Sequence, residues 1–443
     1  MKYIIRFFYF LCAFNIITLS SEPRWLTIPG PYTSSRFDDI FFININTGWA
    51  VAASGVVIKT TNGGINWTQH PTPVGSSWMR CIGFTDSVTG FIGIYDSAFG
   101  NAAMLKTTNG GLNWLKVQNL PLPRPKGLCG ISVVKGTNVL YACGRIEGPA
   151  TVIKTTDAGL TWTNIDLTAY ASRFIDCYFF TPDSGFVIGG QGPSLNQSRA
   201  VILFTSNGGG SWVYKVDSPR INEAFWKINF YTTTDAAASL NIAEDSLFFF
   251  KTTDRGASWV RRGYPLASGT YFTQGIGFVS QNLGWIGGDF SSDVSYKTSD
   301  GGNTWTEDNF GSRLNRIRFL NDTTGYAAGF KIYKYTTEKS IGINGNSSEI
   351  PLLFNLKQNF PNPFNPHTII QYDIPVGSWI SIVVYNSLGQ KIKAIYEGFE
   401  SAGTYFTKWD GTDYFGSHAA SGLYFYTLNA GDFSITKKMV LLR

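Results

Sequence analysis

The stretch Thr60–Trp67 reads TTNGGINW, and five more copies of it follow. They are TTNGGLNW at 107–114, TTDAGLTW at 155–162, TSNGGGSW at 205–212, TTDRGASW at 252–259 and TSDGGNTW at 298–305. Their tryptophans, Trp67, Trp114, Trp162, Trp212, Trp259 and Trp305, are separated by 47, 48, 50, 47 and 46 residues. A near-constant period of this size means one supersecondary unit copied along the chain. Upstream of most copies lies a second pattern: TGWA at 47–50, TGFI at 89–92, SGFV at 184–187, LGWI at 283–286 and TGYA at 324–327, with weaker versions near Val139 and Ala236. Each follows an alternating apolar stretch such as RCIGF or NRIRF. One unit therefore reads strand, turn, strand, loop, strand, tight turn, strand. Four strands of five or six residues with their turns fill about 47 residues. A four-stranded unit repeated radially is a propeller blade.

The blade number follows from a mismatch at the ends. Seven first-hairpin patterns face only six tryptophan motifs. The seventh unit runs through Ile317 and Tyr326 to IYKYTT at 332–337 and stops before its last strand. The segment PRWLTIP at 23–29 places Trp25 42 residues before Trp67, as a last strand with no blade before it. The strand at 24–28 is therefore expected to complete the seventh blade, which closes the ring and hides the edges of an open array.

Composition agrees with an all-β, turn-rich, extracellular type of protein. Of 443 residues, 16% are aromatic, 15% are charged, 48 are glycine and three are histidine. The net charge of +6 is spread along the chain with no basic block, which argues against a nucleic-acid partner. Lys2 and Arg6 precede the apolar run FFYFLCAFNIITL and then Ser20 and Ser21, the layout of a secretory signal peptide over residues 1–20. No later run is long and apolar enough to span a membrane. Export permits disulfides. Cys129 and Cys143 flank the turn KGTN at similar distances and are the candidate pair. The cysteines show no CxxC spacing and have no histidine nearby, so no metal is expected.

The pattern T-x-[ND]-x-G-x-x-W resembles the Asp-box of bacterial neuraminidase repeats. Its residues here are Asn62, Gly64 and Trp67; Asn109, Gly111 and Trp114; Asp157, Gly159 and Trp162; Asn207, Gly209 and Trp212; Asp254, Gly256 and Trp259; and Asp300, Gly302 and Trp305. Their roles are structural. The Asn or Asp is expected to bond its own backbone two residues on. Thr60 and its equivalents are expected to bond across the hairpin, the glycine to supply a positive φ, and the tryptophan to pack between blades. The resemblance places the motif between the third and fourth strands, on the side away from any ligand. Residues 22–337 also resemble the photosystem II assembly factor-like propellers, which share the KTTNGGxxW unit and carry a basic ligand-facing patch.

The polar stretch SIGINGNSSEIP at 340–351 reads as a linker, placed at 338–353. A strand-rich segment, 354–443, follows and reads as a small immunoglobulin-like β-sandwich. It contains NFPNPFNP at 359–366, VYNSLGQKI at 384–392, WDGTD at 409–413, SGLYFYTL at 421–428 and KKMVLL at 437–442. This order resembles the type A C-terminal sorting domain of the bacterial type IX secretion system. The resemblance implies passage through the periplasm and delivery by the type IX machinery to the cell surface or medium.

No HExxH, P-loop or calcium-loop spacing is present, and no cofactor is expected. His70 is the only histidine of the propeller region, too little for a Ser-His-Asp or Cys-His arrangement. Sialidases on this fold use an FRIP-like entry motif, which this chain lacks. A glycosidase needs two opposed carboxylates. Asp38, Asp39, Asp176 and Glu223 lie at or near innermost strands and are the candidates, against the plainer reading of solvated or capping acids. The loops entering each blade, with those between second and third strands, share one face. Candidate ligand-binding residues there are Trp78, Arg80, Lys126, Arg173, Trp226, Lys227 and Arg316, since aromatics beside cations suit glycans, peptides or acidic partners. The expected function is a secreted or surface propeller, residues 21–337, that binds a glycan or protein without catalysis. The alternative is an extracellular glycosidase or sialidase-like hydrolase.

Overall fold

The computed structural model describes residues 22–28, 35–95, 103–244, 246–265, 271–290, 294–337, 354–400, 403–431 and 433–443. The signal-peptide segment 1–20 and the linker 338–353 lie outside them. The fold is all-β: seven four-stranded blades, followed by a two-sheet immunoglobulin-like unit. The innermost strands of blades 1 to 7 are Phe37–Phe42, Met79–Phe84, Gly130–Val133, Arg173–Phe179, Glu223–Phe230, Tyr271–Phe278 and Arg316–Asn321. In blade 7 the strand Arg24–Thr27 pairs antiparallel with Ile332–Thr336, setting Arg24 opposite Thr336 and Thr27 opposite Tyr333. The last strand of the last blade thus comes from the start of the chain, as the unmatched Trp25 predicted.

Burial falls from the axis outward. In blade 2 the first and second strands, MRCIGF and GFIGI, are buried throughout, and the fourth is not. Blades 5 and 6 depart from the simple array. The second strand of blade 5, Ala236–Glu244, runs nine residues and pairs beyond its own blade, with Asn241 opposite Phe272. This joins the two blades into one sheet. The repeat spacing gives no sign of this.

The tryptophan motif is a self-contained turn. Thr60 Oγ1 accepts a hydrogen bond from the Gly64 amide (2.9 Å) and donates to Asn62 Oδ1 (3.0 Å). Asn62 Oδ1 in turn accepts from the Asn66 amide (2.9 Å). The side-chain bond therefore spans four residues rather than the expected two, and the threonine serves the turn rather than the cross-hairpin ladder. Gly64 has φ +86°, and a Cβ there would lie 2.9 Å from Ile28 Cδ1, so both backbone and packing require glycine. Trp114 meets Phe84 of its own blade edge-on, whereas Trp162 meets Phe91 of the preceding blade.

The cysteine expectation is overturned. Cys143 stands opposite Gly130, not Cys129. An offset of one residue turns the two side chains to opposite faces of the strand pair. Cys129 packs with Ile146, Ile175 and Trp226, while Cys143 packs with Val152 and Cys177. All four cysteines of the described residues are buried free thiols.

In the C-terminal unit one sheet holds Asn355–Leu356, Thr368–Ile374 and Gly403–Trp409. The other holds Lys391–Glu400, Ser378–Asn386, Gly422–Ala430 and Phe433–Leu441. Their inner faces meet around Trp409, Tyr372, Tyr426 and Met439. The NFPNPFNP segment fastens the two ends of this unit together. Asn359 Nδ2 donates to Thr368 Oγ1 (2.9 Å), and the Val440 amide donates to Asn362 Oδ1 (2.9 Å).

Candidate functional site: the plugged axis and its aromatic rim

The innermost strands share a local irregularity. In six blades the pairing of first with second strand slips: between Phe37 and Asp39, Met79 and Cys81, Phe174 and Asp176, Phe225 and Ile228, Thr273 and Ile276 and, near the hairpin turn of blade 7, Phe319 and Asn321. A β-bulge leaves its extra residue off the ladder and re-aims the side chain. The residues so released include Asp38, Arg80, Trp226, Lys227 and Gln274. The slips thus bring Asp38, Arg80 and Lys227 to the axis, where they join Asp39, Asp176, Arg316 and Arg318, which stay on their ladders.

There they form one buried ionic network. Asp38 accepts from Arg36 Nε (2.8 Å), Arg80 Nη1 (2.9 Å) and the Trp78 indole N–H. Arg316 Nε donates to Asp39 (3.0 Å), and its two terminal nitrogens grip Asp176 bidentately (2.7 and 3.0 Å). Arg318 adds a bond to Asp39 (3.2 Å). Backbone amides of Ile82 and Ile228 complete Asp39 and Asp176. The network crosses the ring again where Trp226 Nε1 donates to Asn315 Oδ1 (2.8 Å) and Asn315 Nδ2 donates to the Asp38 carbonyl.

Burial works against the charge on Asp39 and Asp176, but the arginines, Lys227 and the amide bonds outweigh it and hold both carboxyls below their ordinary range. For Lys227 burial wins. Reinforced by Arg316 and Arg80, it drops the ammonium to about 8. For Arg316 the two carboxylates overcome burial and raise the guanidinium.

The acids singled out for catalysis are thus all buried and all engaged. Asp38, Asp39 and Asp176 are held in the network, and Glu223 accepts from Ser218 and Arg261 (3.3 Å). Among the ligand-binding candidates, Arg80, Arg173, Trp226, Lys227 and Arg316 are buried. Arg173 donates to the Gly192 carbonyl (2.6 Å). Lys126 is exposed. Trp78 is 38% exposed and is the aromatic candidate that reaches solvent.

Trp78 is held rather than loose. Its indole N–H is anchored on Asp38, the Arg80 guanidinium lies 5.5 Å from its ring centroid, and Tyr95 packs at 4.7 Å. Tyr95 donates to Glu147, and Arg145 sits 6.0 Å from the Tyr95 ring. The sequence reading did not include Tyr95, Arg145 or Glu147. Their place in loops on the same face as Trp78 was the available signal. A separate cleft of about 720 Å³ lies near the tryptophan motifs, lined by Pro71, Thr72, Pro73, Lys106, Trp114 and Lys116 among others. Among the described residues no group of three or more His, Cys, Asp or Glu side chains is placed to hold a metal.

The sequence matches the FlgD Ig-like domain family over residues 371–432. No curated protein matches it. Among solved structures, YCF48 bound to a D1 peptide is 18% identical with a TM-score of 0.55, covering 71% of this chain and 97% of that one. YCF48 from Cyanidioschyzon merolae is 19% identical with a TM-score of 0.54, covering 71% and 99%. PorZ, an essential surface component of the type IX secretion system of Porphyromonas gingivalis, is 12% identical with a TM-score of 0.49, covering 94% and 60%. The YCF48 likenesses bear on the propeller fold alone.

Proposed function

We propose that this protein is an extracellular propeller that binds a glycan or protein ligand without catalysis, on the face where the loops entering the blades converge. The observation that carries the reading is Trp78: exposed, yet fixed by Asp38, Arg80 and Tyr95. A partly exposed tryptophan whose orientation is already set loses little conformational freedom on binding, which is the character of an interface anchor. Arg145 and Glu147 beside it supply polar contacts at the rim.

The hydrolase reading receives less support. A glycosidase needs one carboxylic acid to donate a proton and one carboxylate to attack or activate water. Asp38, Asp39 and Asp176 are committed to guanidinium groups in the plugged axis. Delivery is proposed as the sequence implies. The signal peptide takes the chain to the periplasm, and residues 354–443 act as a type IX sorting domain. No helix among the described residues is long and apolar enough to cross a membrane.

Binding of the mature full-length chain to glycan and peptide arrays tests the first part. Trp78→Ala should reduce any array signal at least tenfold while the thermal midpoint stays close to that of the parent. An unchanged array profile in a folded W78A protein would remove this face from the proposal. For delivery, deletion of 354–443 should leave the propeller in the periplasm, and normal surface appearance of the truncated chain would overturn it.

A further inference from the structure

Among the described residues the axial network holds more cations than carboxylates. Four cationic side chains, Arg80, Lys227, Arg316 and Arg318, meet three carboxylates, Asp38, Asp39 and Asp176. The shortfall has a location. Lys227 Nζ and the Nε and Nη2 of Arg80 are each buried to less than 1 Å² and have no hydrogen-bond partner among the described residues. Arg80 comes from blade 2 and Lys227 from blade 5, and the two cations are near enough to repel each other. Trp226, next to Lys227, lies 5.4 Å from the Arg80 guanidinium. The Cys129 thiol of blade 3, pushed up by burial, is pulled back by both cations.

Buried ions in folded proteins are paired, because an unpaired charge forfeits hydration with nothing in return. Six N–H bonds, three on the ammonium and three on the guanidinium Nε and Nη2, are a donor set for an anion. We infer that a small monovalent inorganic anion of the chloride class is built into the axis between Arg80 and Lys227, as a structural counter-ion taken up on folding. It is small because the donor atoms are closed off from solvent. It is monovalent because Asp39 and Asp176 lie within the same network and repel a second negative charge. This site is independent of any ligand at Trp78 and requires none.

The test uses the full chain. Protein held in gluconate, an anion too bulky for an enclosed site, is titrated with chloride or bromide at constant ionic strength. The thermal midpoint should climb with halide, and each tenfold rise above the dissociation constant should raise the folding constant tenfold. In Lys227→Met this halide dependence should vanish. Crystals of the unaltered chain grown with bromide should show an anomalous peak within about 3.5 Å of Lys227 Nζ. That measurement stands even if the variant fails to fold. Equal midpoints in chloride and gluconate, or bromide crystals with no peak between Arg80 and Lys227, would overturn the proposal.

Discussion

Arg316 is the residue on which the axis depends. It touches carboxylates from two other blades, Asp39 of blade 1 and Asp176 of blade 4. Arg316→Met would leave both acids short of a partner, and removing one member of a buried pair costs about 3–5 kcal/mol. The loss should also change shape with pH. Asp39 and Asp176 have native carboxyl groups below their unfolded range, so they stabilise above about pH 4 and lose that contribution as pH falls through their native values. Arg316→Met should therefore flatten the acid limb of the stability profile, and a parallel, merely shifted limb in urea titrations would contradict the assignment. Lys227 has the opposite dependence. Its native value of about 8 lies below the unfolded 10.5, so the unfolded chain binds the extra proton between these values. Stability in halide-free buffer should rise as pH passes 8. It should fall again near 10, where burial of Tyr141 and Tyr231 disfavours their ionisation in the fold. Lys227→Met should lack the rise.

At the scale of the element, the tryptophan turn and the innermost strand contrast in how far the sequence reveals them. In the turn every function is local. Thr298, Asp300 and Gly302 satisfy one another within five residues, so the pattern is written contiguously and is visible by eye. Gly302→Ala tests this directly. Its φ of +92° costs an L-residue about 1–2 kcal/mol, and the new Cβ would stand 2.4 Å from Phe249 Cζ, so the loss should exceed that strain alone. A calorimetric midpoint unchanged from the parent would show the turn to be dispensable. The innermost strand has no such signature. Asp38, Arg80 and Lys227 sit in runs that read as ordinary half-polar strands. What turns them inward is a register slip against the second strand, a property of two segments at once. The sequence could therefore nominate Arg80 and Arg316 as cations of one face. It could not show that they are spent on Asp38 and Asp176 from other blades. The cysteine expectation failed for a different reason, a count: five residues separate Cys129 from KGTN but four separate KGTN from Cys143, so a hairpin in register about that turn sets Cys143 opposite Gly130.

For the whole molecule, the consequential contact is the one that closes the ring. The strand Arg24–Thr27 is four residues long and only partly buried, yet it covers the edge of Ile332–Thr336, which is buried throughout. Trp25 supplies the packing. It stacks on Phe310 at 4.4 Å and meets Trp285, Phe319 and Tyr335 within 5.7 Å. Loss of a tryptophan side chain from such a cluster costs about 3 kcal/mol. Trp25→Ala should lower stability by that amount while leaving the backbone ladder in place. Removal of residues 21–28 should do more, because it also strips Ile332–Thr336 of its partner. An uncovered strand edge recruits another chain, so the truncated protein should associate in sizing chromatography at concentrations where Trp25→Ala remains monomeric. Limited proteolysis should cut it first in blade 7, since the remaining blades keep all four strands. If the truncated chain instead stays monomeric with the stability of Trp25→Ala, the tryptophan is all that the closing strand contributes, and the edge it covers needs no cover.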